Sequence, residues 1–536
     1  MLRKRNRNQD AGAILPACSN FLTRCYTLIF LCLFSYVFIA VLLNSMNYVP
    51  SKTAVYFLAF LLLGVYCAGM YWIWRLLNRF PKAWLVMIPC LLIVQGVYVW
   101  CVYSCASSDA YVVNYIAYNT VAVGADSLGE FFVDYLCHFT NNIPITQLLI
   151  GIYKIYLPAT LDDSWLLLSF LSAILADVAL VFTYAFVKNV WGKPSAFLTI
   201  VLGIPMIILS ESAVLFYTCI ASLWSVPASL YFMMKAMSSS KRWWYGAAAG
   251  VCCVLGFFLK ANIAVLMVAY GICFVLLFMK RVWNSRNTES DAFQKKTLLR
   301  LVLILLVSVI ATYGLLNVFT TDYKQDLGLE RVEQNEIPLE HFIAMGLNKE
   351  SHGFWNGEDQ DETKLCLGMD AKKEFLRAKI IQRLSEHGAR GLLAHLDYKL
   401  SFGYTRGTFV VDGAWKGTLL NDNSFAQLVQ KWTVVGGAYR DKYMAPFIQV
   451  VYLAILFFCV YGVLRKSPKT NERADFAIGV CRLSMIGTTI FLLLFELNLR
   501  YIYGTLPFMI FLAIDGIRKT TLWKKIIPCD MVNGTE

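Results

Sequence analysis

Three stretches of this chain carry ionisable side chains beside long apolar runs. "CASSDAYVVNYIAYN" (105–119) holds Asp109, "LKAN" (259–262) holds Lys260, and "FELNLRYIYG" (495–504) holds Glu496, Arg500 and Tyr501. Charged groups near lipid are costly to keep and commonly mark a pathway or a site. A carboxylate within hydrogen-bond reach of a hydroxyl can take its proton as a general base. Arginine offers a planar fork of donors matched to phosphate oxygens, and lysine a compact point charge. Each residue also has a plainer reading. "SSDAY" is an acceptable helix N-cap with Asp109 in water. Lys260 can snorkel with its stem along lipid. Glu496 and Arg500, spaced i, i+4, pair locally if their segment is helical.

The elements that must position these groups are membrane spans. The chain has 536 residues, 58% hydrophobic and only 15% charged, with mean hydropathy +0.56. Soluble domains carry about 25% charged residues, so a soluble globular protein is excluded. About 20 apolar residues cross a bilayer as a helix. The sequence predicts an all-α polytopic membrane protein with about 12 transmembrane helices. The runs lie near 25–43, 53–74, 84–105, 165–187, 195–210, 222–236, 245–259, 263–279, 299–319, 445–464, 476–495 and 502–517. The formal charge of +13 reads as a topology signal, not as nucleic-acid binding. The start, "MLRKRNRNQ", lacks a small-residue cleavage site after it and is expected to precede a retained span. Most of the 16 cysteines lie inside apolar runs as small hydrophobes, and no CxxC pair or His/Cys cluster suggests zinc or a disulfide framework.

With the basic N-terminus inside, alternation puts "RLLNRFPK", "KNVWGK", "KAMSSSKR", "KRVWNSRNTESDAFQKK", "RKSPKTNER" and "RKTTLWKK" inside as well. These inner segments hold more than half of the 48 Lys and Arg, whereas the short outer ones hold Lys52, Lys154, Lys260 and Arg500. That bias fits the positive-inside rule. It implies cytoplasmic termini, a plasma-membrane location and an extracytoplasmic large loop. "IPITQLLIGIYKIYL" (143–157) is too short to span comfortably, and a crossing there would move every later basic loop to the wrong side. It is expected to be a re-entrant or interfacial helix. Four divisions follow: 1–83 with two extra spans, a transmembrane module at 84–319 with the outer loop 106–164, an extracytoplasmic domain at 320–443, and C-terminal spans at 444–536. In the outer domain, 371–400 has helical periodicity with Gly388 and Gly391 as breakers, and 341–361 reads as loop.

This threading gathers Asp109, Lys260 and Arg500 on one face, together with Asp126, Glu130, Asp134, His138, Asn141 and Asn142 of the first outer loop. No P-loop, dinucleotide fingerprint or nucleophile elbow is present. Outside the cytoplasm there is no supply of nucleotide-activated sugar, so a transferase there needs its donor carried on a lipid. A polyprenyl-phosphate sugar meets that need. The base would deprotonate an acceptor hydroxyl as it attacks the anomeric carbon, and the cations would stabilise the departing phosphate.

The order of features resembles bacterial multi-spanning GT-C glycosyltransferases. These are family-39-like membrane proteins of Gram-positive type, related to the protein O-mannosyltransferases and aminoarabinose transferases. The matching pieces are "HFTNNIP" (138–144) before the short helix, the "YT" at 217–218, the lysine turn, "MGLNKESHGFWNGED" (345–359) and "ExxxRY" at 496–501 followed by "LPF". The resemblance covers about 100–517. It implies a GT-C-like fold, Asp109 as catalytic base, and Lys260 and Arg500, with Tyr501, at the donor phosphate. The same motifs nominate Glu496, His138, Asn141, Asn142, Tyr217, Thr218, His341, Trp355 and Glu358 as substrate contacts. The family pattern has Pro where this chain has Thr140, and often Asp where it has Cys219. No DxD pair stands at Asp109, so neither a cofactor nor a divalent metal is indicated. The implied partners are the lipid-linked donor, membrane lipid, and a cell-envelope glycan, glycolipid or protein acceptor. Competing classes are a transporter or flippase of lipid-linked saccharides, a polysaccharide polymerase or ligase, and a non-catalytic scaffold.

Overall fold

A computed structural model describes residues 2–49, 52–210, 213–238, 242–284, 289–326, 329, 335–409, 418–465 and 471–526. Lipid offers no partner for backbone N–H and C=O groups, so apolar runs close their hydrogen bonds within a helix. The first three helices are α1 (Leu2–Tyr48), α2 (Thr53–Arg79) and α3 (Trp84–Val102). The first outer loop then carries β1 (Ser104–Cys105), α4 (Ser108–Ala122), α5 (Glu130–His138) and α6 (Ile143–Ile155). The bundle resumes with α7 (Leu161–Gly203), α8 (Thr218–Leu223), α9 (Ser225–Ser238), α10 (Arg242–Leu259), α11 (Ala264–Asn284) and α12 (Glu289–Asp326). The outer piece follows as α13 (Leu339–Gly346), α14 (Gly357–Leu365), α15 (Met369–Tyr404), β2 (Thr418–Leu419) and α16 (Ser424–Thr433). Last come α17 (Ala445–Leu464), α18 (Glu472–Leu494), α19 (Arg500–Tyr503), α20 (Leu506–Arg518) and α21 (Thr521–Ile526).

The protein is an all-α polytopic membrane protein. Among the described residues, eight helices are long and apolar enough to cross a membrane. Helix α7 breaks at Gly192 (φ 83°), two residues before Pro194, so its two halves supply two of the expected runs. The remaining expected runs are occupied by α9, α10 and α20, with 14, 18 and 13 residues. Apolar helix in α1 extends over Ala17–Asn47, well beyond the expected 25–43. At the centre α20 is buried from Leu506 to Gly516, while α2, α3 and α12 turn most of their apolar side chains outward. Glycines set the closest approaches, as is common between membrane helices. A Cβ on Gly516 would stand 2.0 Å from the Phe458 carbonyl oxygen.

The first outer loop leaves and re-enters the bundle at one end. Helices α3 and α7 run antiparallel: Phe170 packs at Gly96, and Gln95 Nε2 donates to Asp177 Oδ1 at 3.2 Å. Residue 102 and residue 161 therefore share an end. Between them α4 and α6 lie side by side, with Asn114 of α4 accepting from the Tyr153 hydroxyl of α6. Tyr118, near the end of α4, reaches the Pro158 carbonyl at 3.2 Å. The middle of α6 meets the last turns of α12, where Gln147 Nε2 donates to the Phe319 carbonyl at 3.1 Å. The short apolar helix thus adds no crossing.

The described residues between α12 and α17 are mainly helical. Gly388 (φ 56°) breaks α15 as its sequence suggests, whereas Gly391 stays helical. Helix already occupies both flanks of the stretch read as loop. Asn356 caps α14 by accepting from the Asp359 N–H at 2.9 Å, so the irregular part shrinks to 347–356. Two devices fasten this piece to the bundle. β2 pairs antiparallel with β1, just ahead of α4. Lys399, fully buried, donates to three carbonyls: Gly346 at 2.9 Å, Leu493 at 2.9 Å and Phe495 at 2.6 Å. Gly346 must be glycine for this contact, because a Cβ would meet the Phe495 oxygen at 2.6 Å.

Burial pushes the Lys399 ammonium down to about 7, against the opposing pull of Glu496. An unfolded lysine keeps its proton to about 10.4, so between these values the unfolded chain binds more protons than the folded one. This group therefore makes stability rise with pH from about 7 toward 10. A thermal midpoint measured across that range in detergent should carry this slope, and Lys399→Met should lack it. Gly516→Ala should lower the midpoint at any pH, at a cost of about 1–3 kcal/mol for overpacking. Gly271→Ala, with no atom within 4 Å of the added Cβ, should leave it unchanged or raise it.

Candidate active site

Asp109 occupies the first turn of α4, immediately after Ser108, whose φ of 54° is rarely adopted outside glycine. The cap position is Ser107, and no side chain closes the helix N-terminus there. The carboxylate turns instead toward two phenols. The Tyr135 hydroxyl donates to Asp109 Oδ1 at 2.8 Å, and the Tyr217 hydroxyl lies 3.4 Å from Oδ2. Asn142 ties both phenols together, donating from Nδ2 to the Tyr135 oxygen at 2.6 Å and accepting from the Tyr217 hydroxyl at 2.7 Å. Asn142 is buried at the junction of a 3-10 turn with α6, and Tyr217 is buried before α8. Burial and the Asp109 charge hold the Tyr135 and Tyr217 hydroxyls well above the usual phenol range, so both remain donors. Asp109 is itself half-buried.

The cations join this network through Tyr217 and Cys219. The Arg500 guanidinium lies over the Tyr217 ring, 5.5 Å from its centre. Its Nε donates to Asn498 Oδ1 at 3.1 Å. Burial would lower its pKa, but Cys219, Tyr217 and Asp109 raise it further than burial lowers it, so it stays charged. Lys260 Nζ approaches Cys219 Sγ at 2.8 Å and the Arg500 carbonyl at 3.2 Å, and sits 5.5 Å from the Tyr501 ring centre. Burial lowers the Lys260 pKa and Cys219 opposes the change. Cys219 thus stands where the family pattern often has a carboxylate, and it receives the lysine. Arg500 and Lys260 are both half-exposed. Lys260 lines a shallow recess together with Val226, Leu266, Thr488, Tyr501 and Phe508 among others.

Glu496 lies in a non-helical segment, so the local i, i+4 pair with Arg500 does not form in helical geometry. Burial raises its pKa, and Arg500 pulls the other way. Of the remaining candidates, Thr218 is buried at the start of α8, within one residue of Tyr217 and Cys219. Asn141 is exposed beside Asn142. His138 is buried and holds its own helix, with Nδ1 2.8 Å from the Asp134 carbonyl and 3.2 Å from its carboxylate. His341 is buried against Thr363, Nδ1 to Oγ1 2.8 Å, and desolvation drives its pKa down to about 4. Trp355 and Glu358 are exposed, the indole N–H donating to Gln360. Their loop nevertheless abuts the site's last segment, since the Leu497 N–H donates to the Gly353 carbonyl at 2.6 Å.

The structure therefore brings Asp109, Asn142, Tyr217, Thr218, Lys260, Glu496, Arg500 and Tyr501 to one end of the bundle. It does not bring His138, His341, Trp355 or Glu358 into contact with them. Tyr135 escaped the sequence reading because "FFVDYLCH" offers no sign of which aromatic turns inward. Asp359 escaped it too. Its carboxylate receives both guanidinium nitrogens of Arg383, at 2.9 and 2.6 Å, and Asn348 at 3.0 Å. Burial would raise its pKa, yet these donors hold it well below the usual carboxylate range. Among the described residues, no three His, Cys, Asp or Glu side chains group as a metal site.

No curated protein matches this sequence. One solved structure similar to it is the oligosaccharyltransferase of Archaeoglobus fulgidus in complex with zinc and sulfate, at 12% identity and a TM-score of 0.25. The alignment covers 78% of this chain and 53% of that one, so this chain spans about half of that protein's length. At such a score the likeness decides neither fold nor activity. Residues 15–521 match the family described as conserved hypothetical integral membrane proteins, and the chain belongs to that family.

Proposed function

We propose that this protein is a membrane glycosyltransferase that moves a sugar from a polyprenyl-phosphate donor to a hydroxyl of a cell-envelope acceptor. The observation that carries the reading is the convergence of one half-buried carboxylate and two cations, delivered by three separate turns, onto Tyr217 and Cys219. Asp109 accepts the proton of the acceptor hydroxyl while that oxygen bonds to the anomeric carbon. The bond from anomeric carbon to phosphate oxygen breaks with its electron pair, and the lipid phosphate leaves. Lys260 and Arg500 stabilise the charge that grows on it. Such a single displacement inverts the anomeric centre. Tyr135, Tyr217 and Asn142 fix the orientation of the base.

Asp109→Asn preserves shape and most hydrogen bonds but removes the base, so turnover should fall on the order of 10²–10⁴-fold. Cells lacking the protein, complemented with wild type or Asp109→Asn at equal membrane abundance, provide the assay. Mass spectrometry of envelope glycans should show a monosaccharide branch restored by wild type alone. Full restoration by the variant would remove Asp109 from this role. In membranes supplied with the lipid-linked sugar from the same cells, Lys260→Ala should raise the apparent KM for donor about 10–100-fold, the range for a hydrogen bond to a charged group. An unchanged KM would exclude the phosphate contact.

A further inference from the structure

Helix α16 presents three distinct arcs around its circumference. Ala426, Val429, Gln430 and Thr433 face the bundle. Ala426 is fully buried with Cys101 and Val102 of α3, and Gln430 Nε2 donates to the Cys101 carbonyl at 2.8 Å. Just before the helix, Asn421 Nδ2 donates to the Trp100 carbonyl at 2.8 Å. A second arc, Ser424, Gln427 and Lys431, is polar and exposed. The third is apolar and equally open: Phe425 is 53% exposed, Leu428 53% and Trp432 42%. Residues spaced three and four apart share one face of a helix, so these three form a continuous stripe.

We propose that α16 lies in the outer interface of the bilayer, with its Phe425–Leu428–Trp432 stripe immersed in the same leaflet that α3 traverses. The occupant is phospholipid because the stripe continues a surface that already faces lipid. On α3, Val94 is 66% exposed, Val97 43% and Trp100 39%, and α16 is bonded to the last carbonyls of that helix. The two exposed arcs differ in polarity, as an in-plane interfacial helix requires. An aromatic group marks the headgroup level: the Trp432 ring lies 4.7 Å from that of Tyr439 and 6.2 Å from that of Tyr443. Lys431 and the exposed Lys442 stand beside it, within reach of lipid phosphates. The outer domain is thereby fixed in depth as well as in orientation, and α4, which begins six residues after α3 ends, is fixed with it. This inference is independent of the transfer reaction.

Photo-crosslinking tests it on the whole protein in phosphatidylcholine nanodiscs. Benzoylphenylalanine replaces Leu428 or Phe425, with Val94 as the lipid-facing control and Leu367, 90% exposed in an outer turn, as the water-facing control. Lipid adduct yields at 425 and 428 should come within about twofold of position 94 and exceed position 367 by at least about fivefold. Yields no higher than at 367 would overturn the proposal. A crosslink to a second protein chain in place of lipid would overturn it as well.

Discussion

The Tyr217 side chain is the constraint around which the rest is arranged. Its hydroxyl donates to Asn142 and lies against Asp109, while its ring carries the Arg500 guanidinium. One residue therefore links the first outer loop to the turn that follows α18. Two residues on, Cys219 receives Lys260 and brings in the turn between α10 and α11. A phenol buried at this point must find an acceptor, because an unsatisfied polar group costs more than the hydrogen bond returns. The surrounding loops have little freedom to rearrange without leaving that hydroxyl, or Asn142, without a partner.

A second constraint acts on the outer domain. Lys399 places an amine in a fully buried position, and it is tolerated because three carbonyls lie within hydrogen-bond reach of it. Those carbonyls come from the last residue of α13 and from the end of α18. The "MG" of 345–346 and the "FE" of 495–496 are thus held together by one amine. The loop 345–359 works here as an attachment. Its glycines permit close backbone approach, and Asp359 anchors it from behind through Arg383.

Much of this architecture was legible in the sequence because membranes impose simple rules. Apolar length gave the spans, and charge bias with parity gave the non-crossing reading of α6, which the antiparallel pairing of α3 with α7 supports. Asp109, Lys260 and Arg500 stood out because each is ionisable beside lipid. What the sequence hid was the identity of the connectors. Tyr135, Lys399 and Asp359 look like ordinary surface residues until folding buries them, and nothing in their spacing says which partners will arrive from a distance of tens or hundreds of residues. The histidines misled for the opposite reason. His138 and His341 are rare residue types near suggestive motifs, yet each is buried and bonded within its own neighbourhood.

The shortness of α20 reflects its place in the bundle. Thirteen helical residues measure about 20 Å, whereas the hydrocarbon slab measures about 30 Å. A helix walled in by protein on nearly every side is free of that mismatch, because it meets little lipid along its length. Its length is therefore set by its protein neighbours and not by the thickness of the lipid.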